Sequence, residues 1–271
     1  MKSHAIVYIV GLSFLILSAC SKRCDPLPDD ENPSGKNSLL DSIQWKELKQ
    51  TTSFHYRSDS LQDKIIYGVH TVKDTVVFTY NGKRISTISS FRQQRIAEYQ
   101  YNIGGRVASI IIHTQSGTGP KINFKFTYDA AGKPAVLDYF FSRGAVILEQ
   151  LLFTYEYDAA GLLAKVYAKT PGGHEVSYLI EGYAPKCDFN PWAFIEPINV
   201  TENIPIYNLP MLQTLNRLPT KITRIDGGSD EIQRHAISID KERVARVISD
   251  FEYPFIPPTT HRLETNFFYR Q

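Results

Sequence analysis

Four stretches of this chain repeat one pattern: an aromatic, an Asx residue, a tight turn containing glycine, and a restarting strand. They are FTYNGKRISTI (78–88), YQYNIGGRVASI (99–110), FTYDAAGKPAVL (126–137) and YEYDAAGLLAKV (155–166). The turn glycines at 82, 105, 132 and 161 lie 23, 27 and 29 residues apart, which is room for two strands and two turns per unit. Each unit therefore predicts a β-hairpin. Before the turns the side chains alternate, with Phe124, Phe126 and Tyr128 on one face and Lys125 and Thr127 on the other. Period-two patterning of this kind suits a sheet with one face covered. At the turns, Asn81, Asn102, Asp129 and Asp158 are placed to accept hydrogen bonds from their own downstream backbone. Gly82, Gly105, Gly132 and Gly161 supply positive φ. Turn chemistry accounts for these residues without a catalytic role.

Two further stretches read as degenerate copies. HYRSDSLQDKIIY from His55 turns at Ser58-Asp59-Ser60, and AISIDKERVARVI from Ala236 turns after Asp240 without a glycine. Between the clear repeats and the last copy, the insertion 183–220 holds Pro185, Pro191, Pro197, Pro205, Pro210 and Pro219. Prolines remove ladder donors, so this segment reads as a cover laid across the sheet, with Trp192, Phe194 and Ile195 inside. Hairpins running end to end predict one all-β domain over 39–271. Accumulated twist favours a strongly curved antiparallel sheet or partial barrel beneath the Pro-rich cover. No alternation of strands with amphipathic helices supports an α/β fold.

The N-terminus has a different job. Lys2 precedes an uncharged run of thirteen residues from Ala5 to Leu17, too short to span a bilayer as a helix, and Leu17-Ser18-Ala19-Cys20 follows. Residues 1–19 read as an export signal. The tetrad resembles a bacterial lipobox, which implies cleavage before an acylated Cys20 and anchoring in the lipid bilayer, here that of the outer membrane, on its periplasmic face or at the cell surface. Residues 20–38, rich in Pro, Asp, Asn, Ser and Gly, read as a flexible tether. Cys24 and Cys187 remain as thiols; two readings stay open, a single disulfide or a buried Cys187 beside an unrelated Cys24. The net charge of +2, or +1 once Lys2 is removed, gives no reason to expect nucleic acid as a partner.

Chemistry is sparse. The histidines outside the signal (55, 70, 113, 174, 235 and 261) lack metal-ligand spacing, and no nucleophile elbow or phosphate loop occurs, so neither metal nor cofactor is expected. His174-Glu175 follows Pro171-Gly172-Gly173 and reads as a turn. The leading expectation is a non-catalytic binding or assembly protein recognising a glycan, a peptide or an envelope protein, with Trp192, Tyr183 and Phe194 as candidate contacts. A glycoside hydrolase built on two distant carboxylates, and a purely structural scaffold, are the alternatives.

The motif Tyr-Asx-x-x-Gly-basic-hydrophobic, at Tyr101 to Val107, Tyr128 to Pro134 and, with Leu162 in the basic position, Tyr157 to Leu163, resembles that of the YD-repeat-like lipoproteins of Bacteroidetes. Asn190-Pro191-Trp192 and Asn216 to Ile222 resemble the inserted loop of that group and its return to strand. The resemblance covers Trp45 to the C-terminus. It implies a hairpin-repeat domain on a periplasmic or surface lipoprotein, discussed beside carbohydrate uptake, with no catalytic set.

Overall fold

The computed structural model describes residues 39–69, 72–187, 217–227, 230–253 and 259–270. Its strands are β1 (Leu40–Trp45), β2 (Gln50–Tyr56), β3 (Gln62–Val69), β4 (Val72–Asn81), β5 (Arg84–Ser90), β6 (Arg95–Tyr101), β7 (Val107–Thr114) and β8 (Lys121–Tyr128). The second half comprises β9 (Pro134–Arg143), β10 (Val146–Tyr157), β11 (Leu163–Lys169), β12 (Glu175–Tyr183), β13 (Pro219–Ile225), β14 (Glu231–Asp240), β15 (Arg243–Tyr253) and β16 (Thr259–Tyr269). Chain order is ring order, neighbouring strands are antiparallel, and β1 pairs with β16 as well as β2. The expectation of an open or partly closed hairpin-repeat sheet is thus corrected: the sheet closes completely into a 16-strand barrel.

The bulges offer a physical reason for closure. Register shifts fall opposite Tyr56, Tyr80, Tyr101, Tyr128, Tyr157 and Ile239, each where a return strand leaves its turn. A bulge bends its strand and strengthens local twist, and a bend repeated at one end of successive hairpins curls the sheet until its edges meet. The extra residue also changes the spacing of inward side chains. Ile85 and Ile88, Val107 and Ile110, Leu163 and Val166, and Val244 and Val247 are buried three residues apart, not two.

The core lies inside the ring. One contiguous cluster of buried side chains draws members from almost every strand, among them Leu40, Val76, Ile110, Phe124, Leu137, Val166 and Val244. On β14 Ile237 and Ile239 pack against it, and on β13 Ile222 is buried. Strands spaced around a closed ring can share one cluster only on the concave face, so the lumen is occupied by packed apolar side chains. The outer face carries polar residues and cross-strand ion pairs such as Lys221–Glu181 (2.7 Å) and Arg234–Glu252 (2.9 Å). Pairs this exposed add little stability but keep the wall hydrated.

The two ends differ. One end holds the repeat turns, the start of β1 and the end of β16, with Leu40 opposite Tyr269. The other end holds the remaining turns, including that between β9 and β10.

Candidate functional site

The repeat turns share one geometry. In the third, the Asp129 N–H donates to Lys133 O (2.9 Å), Gly132 N–H to Asp129 O (3.0 Å), and Lys133 N–H to Asp129 Oδ1 (2.8 Å). Asn102 and Asp158 hold Arg106 N–H and Leu162 N–H in the same way, at 3.0 and 2.7 Å. Gly105, Gly132 and Gly161 have φ of 79, 82 and 77°. Asn81 instead ends β4 at a two-residue turn of Gly82 and Lys83.

Above the turns runs a ring of tyrosines. The hydroxyls of Tyr56, Tyr80, Tyr101, Tyr128, Tyr157 and Tyr269 donate to the carbonyls of Leu40, Gln62, Ile85, Val107, Pro134 and Val244, at 2.6–2.9 Å. Tyr183 makes the same bond to Leu163 O. In every case the last tyrosine of an even strand reaches the start of the strand before it. Only β14, which ends in Ile239-Asp240, lacks the tyrosine. Over six of the rings lies a cation: Arg57 on Tyr80, Arg84 on Tyr101, Arg106 on Tyr128, Lys133 on Tyr157, Arg243 on Tyr269 and Arg270 on Tyr56, at 4.8–5.6 Å. Burial raises the Tyr101 pKa to about 12 and pushes that of Tyr128 higher still, so both rungs are neutral donors.

This arrangement explains the motif residue by residue. The basic side chain of one unit leans over the tyrosine of the next and fills the space above that unit's glycine. A Cβ on Gly132 would collide with the Arg106 guanidinium, one on Gly105 with Arg84, and one on Gly161 with the Lys133 ammonium, which also donates to Gly161 O (2.7 Å). At Gly82 a Cβ would meet nothing within 4 Å. Gly132→Ala is therefore expected to cost about 2–3 kcal/mol, combining the left-handed backbone with a displaced cation, and Gly82→Ala about 1 kcal/mol from the backbone alone. Urea denaturation of the two variants side by side checks the difference; equal losses would remove the cation from the account.

Between β5 and β6, at the repeat-turn end, lies a cavity of about 660 Å³ lined by Asn81, Lys83, Arg84, Ile85, Ser86, Tyr99 and Tyr101. Its lining combines the Tyr99 ring with amide, hydroxyl and cationic donors, the Tyr101 ring being covered by Arg84, a mixture suited to a polyhydroxylated or anionic group. Tyr99 is partly buried, burial holds its phenol well above the usual range, and no backbone carbonyl among the described residues accepts from it.

Of the residues expected from the sequence, Tyr183 is committed to the tyrosine ring, and Cys187 is buried in the core. Cys20, Cys24, Trp192 and Phe194 lie outside the described residues, as does most of the insertion. His174 closes a turn through its carbonyl to Thr170 N–H (2.9 Å) and sits 3.2 Å from Asp226 Oδ1. Among the described residues no group of three or more His, Cys, Asp or Glu could hold a metal ion.

Two polar centres in the lumen had no signature in the sequence. Asp74 is buried and accepts from the Tyr67 hydroxyl (2.9 Å), Ser90 Oγ (2.8 Å), Thr75 N–H (2.7 Å) and Arg92 N–H (2.9 Å). His235 Nδ1 lies 2.9 Å from Ser249 Oγ, while its Nε2 is buried with no hydrogen-bond partner among the described residues. Asp74 is the one carboxylate among the buried polar residues described, and four donors surround it.

No protein-family profile matches the chain, and no curated protein matches it. A solved structure, a porin-like protein from Bacteroides uniformis, is similar in fold: the TM-score is 0.56 at 12% identity, covering 86% of this chain and 98% of that one. A porin-like protein from Bacteroides vulgatus is 14% identical, with a TM-score of 0.47 and coverage of 86% and 99%. The resemblance to YD-repeat-like lipoproteins is corrected accordingly. The closed 16-strand ring of this chain, similar in fold to the Bacteroides uniformis structure, replaces the hairpin-repeat domain that resemblance implied.

Proposed function

We propose that this chain is a lipid-anchored, non-catalytic binding protein of the outer membrane, and that its barrel is a recognition scaffold standing beside the bilayer. The observation that carries this reading is the polarity of the wall. A barrel that spans a membrane turns an apolar band outward and a polar lumen inward. Here the apolar cluster faces inward and the ion pairs face outward. The porin-like description of the Bacteroides uniformis protein favours the outer membrane as the address, while this wall argues against pore formation by the present chain. Leu40 leaves the barrel at the repeat-turn end, so a tether from acylated Cys20 joins the end that carries the Tyr99 cavity. The Tyr99 ring and several donors make a glycan the ligand class best suited to that cavity.

The purified lipoprotein is expected to give no conductance in planar bilayers, and Cys20→Ala to move the chain out of the membrane fraction. Stepwise conductance would overturn the reading. On a glycan array Tyr99→Ala is expected to weaken binding at least about 10-fold, the loss of one stacked ring; no binding by the parent chain would remove the glycan.

A further inference from the structure

The closed ring leaves one stretch of strand without a neighbour. β10 pairs with β9 from Val146 onward, but its pairing with β11 begins only at Leu152, opposite Lys169, where β11 ends. Val146 to Leu151 therefore project past the β11–β12 hairpin, about 20 Å of strand at 3.3 Å per residue, with no partner strand among the described residues on that side. On the opposite side β9 is covered, since Ser142 pairs with Lys121. The overhang is apolar: Val146, Ile147 and Leu148 are each more than half exposed, and Leu152 at its base is 44% exposed.

We propose that this overhang is an interface through which two copies of the chain pair, edge to edge and antiparallel about a two-fold axis. An unpaired edge of β-branched and apolar residues, with a single charge at Glu149, no proline and no cover among the described residues, is a template for another strand, interrupted once by the register shift between Ile147 and Glu149. A second copy satisfies it better than a peptide does. Two identical overhangs related by a two-fold axis close each other's edge in one step, whereas an added peptide presents a new open edge. Both sets of apolar side chains are shielded together. Six residues a side bury less than the roughly 800 Å² per partner of a standard interface, so pairing is weak in dilute solution and is favoured by confinement to a membrane. The overhang lies at the end opposite Leu40, so an anchor at the N-terminus leaves it accessible. The membrane confinement rests on the proposed anchor at Cys20, while the pairing itself depends on neither that anchor nor the Tyr99 cavity.

The test uses the mature chain from residue 20 carrying Cys20→Ser, with and without Ile147→Lys and Leu148→Lys. Both changes fall at exposed positions, and circular dichroism and thermal unfolding verify that the barrel is intact. In sedimentation equilibrium the parent mass is expected to rise toward twice the monomer with concentration, with amide exchange at 146–151 slowing in step, and both effects are expected to vanish in the double variant. A parent that stays monomeric at every concentration overturns the proposal, as does a dimer that survives both lysines. Overhang-dependent sedimentation with phosphatidylethanolamine–phosphatidylglycerol vesicles, without self-association, also overturns it by assigning the apolar tip to lipid.

Discussion

Replacing Asp74 by alanine is expected to destabilise the barrel by about 3–5 kcal/mol. The carboxylate lies inside the ring where β3, β4 and β5 meet, directly opposite Tyr67 on the neighbouring strand. Its Oδ2 accepts two hydroxyls and its Oδ1 two backbone amides, one of them the Arg92 N–H that fixes the turn between β5 and β6. Removing it strands four buried or half-buried donors, and donors left without acceptors inside a protein cost about 1–3 kcal/mol each before relaxation and water entry recover part of the loss. Tyr67 supports the same view, because burial and the neighbouring Asp74 push its phenol well above the ordinary range, so it remains a donor. Asp74→Asn keeps one acceptor oxygen and is expected to lose about half as much. Urea unfolding of both variants gives the comparison; a loss below about 1 kcal/mol for the alanine would show that water replaces the carboxylate freely.

What the sequence made legible follows from how local the physics is. The turns at Asn102, Asp129 and Asp158 are closed by atoms within five residues, so residue type and spacing suffice to place them. The alternation of Phe124, Phe126 and Tyr128 marks an inward face for the same reason. Closure was not legible, because it depends on bulges opposite the tyrosines, and a bulge leaves no mark except inward residues three apart. The repeat gave no reason for its basic position either. Arg106 acts on Tyr128 and Gly132, more than twenty residues on, so its purpose appears only when adjacent hairpins are side by side. Asp74 and His235 were equally hidden, since their partners come from other strands. In sequence Tyr183 stood out as an aromatic beside a Pro-rich segment; in space its hydroxyl completes a backbone carbonyl at the start of β11.

His235 makes stability depend on pH in a range where few other side chains titrate. It faces the lumen from β14, opposite Ser249 on β15, with Phe251 edge-on at 6.5 Å, and burial lowers its pKa to about 4. In the unfolded chain the imidazole titrates near the ordinary value of about 6.5. The folded state thus disfavours the proton, and the penalty is absent while both states are neutral. Above pH 6.5 the group costs nothing. As the pH falls from about 6.5 toward 4 the unfolded chain takes up a proton that the folded chain resists, and stability declines to a total loss of about 3 kcal/mol. Within that window the native barrel keeps a neutral ring whose buried Nε2 has no hydrogen-bond partner among the described residues, so a charge there would be poorly balanced. Denaturant midpoints measured from pH 7.5 to 4.5 are expected to fall more steeply for the parent than for His235→Gln, which keeps a polar side chain but removes the titration. Parallel pH profiles for the two proteins would show that His235 is protonated in the folded state as readily as in the unfolded one.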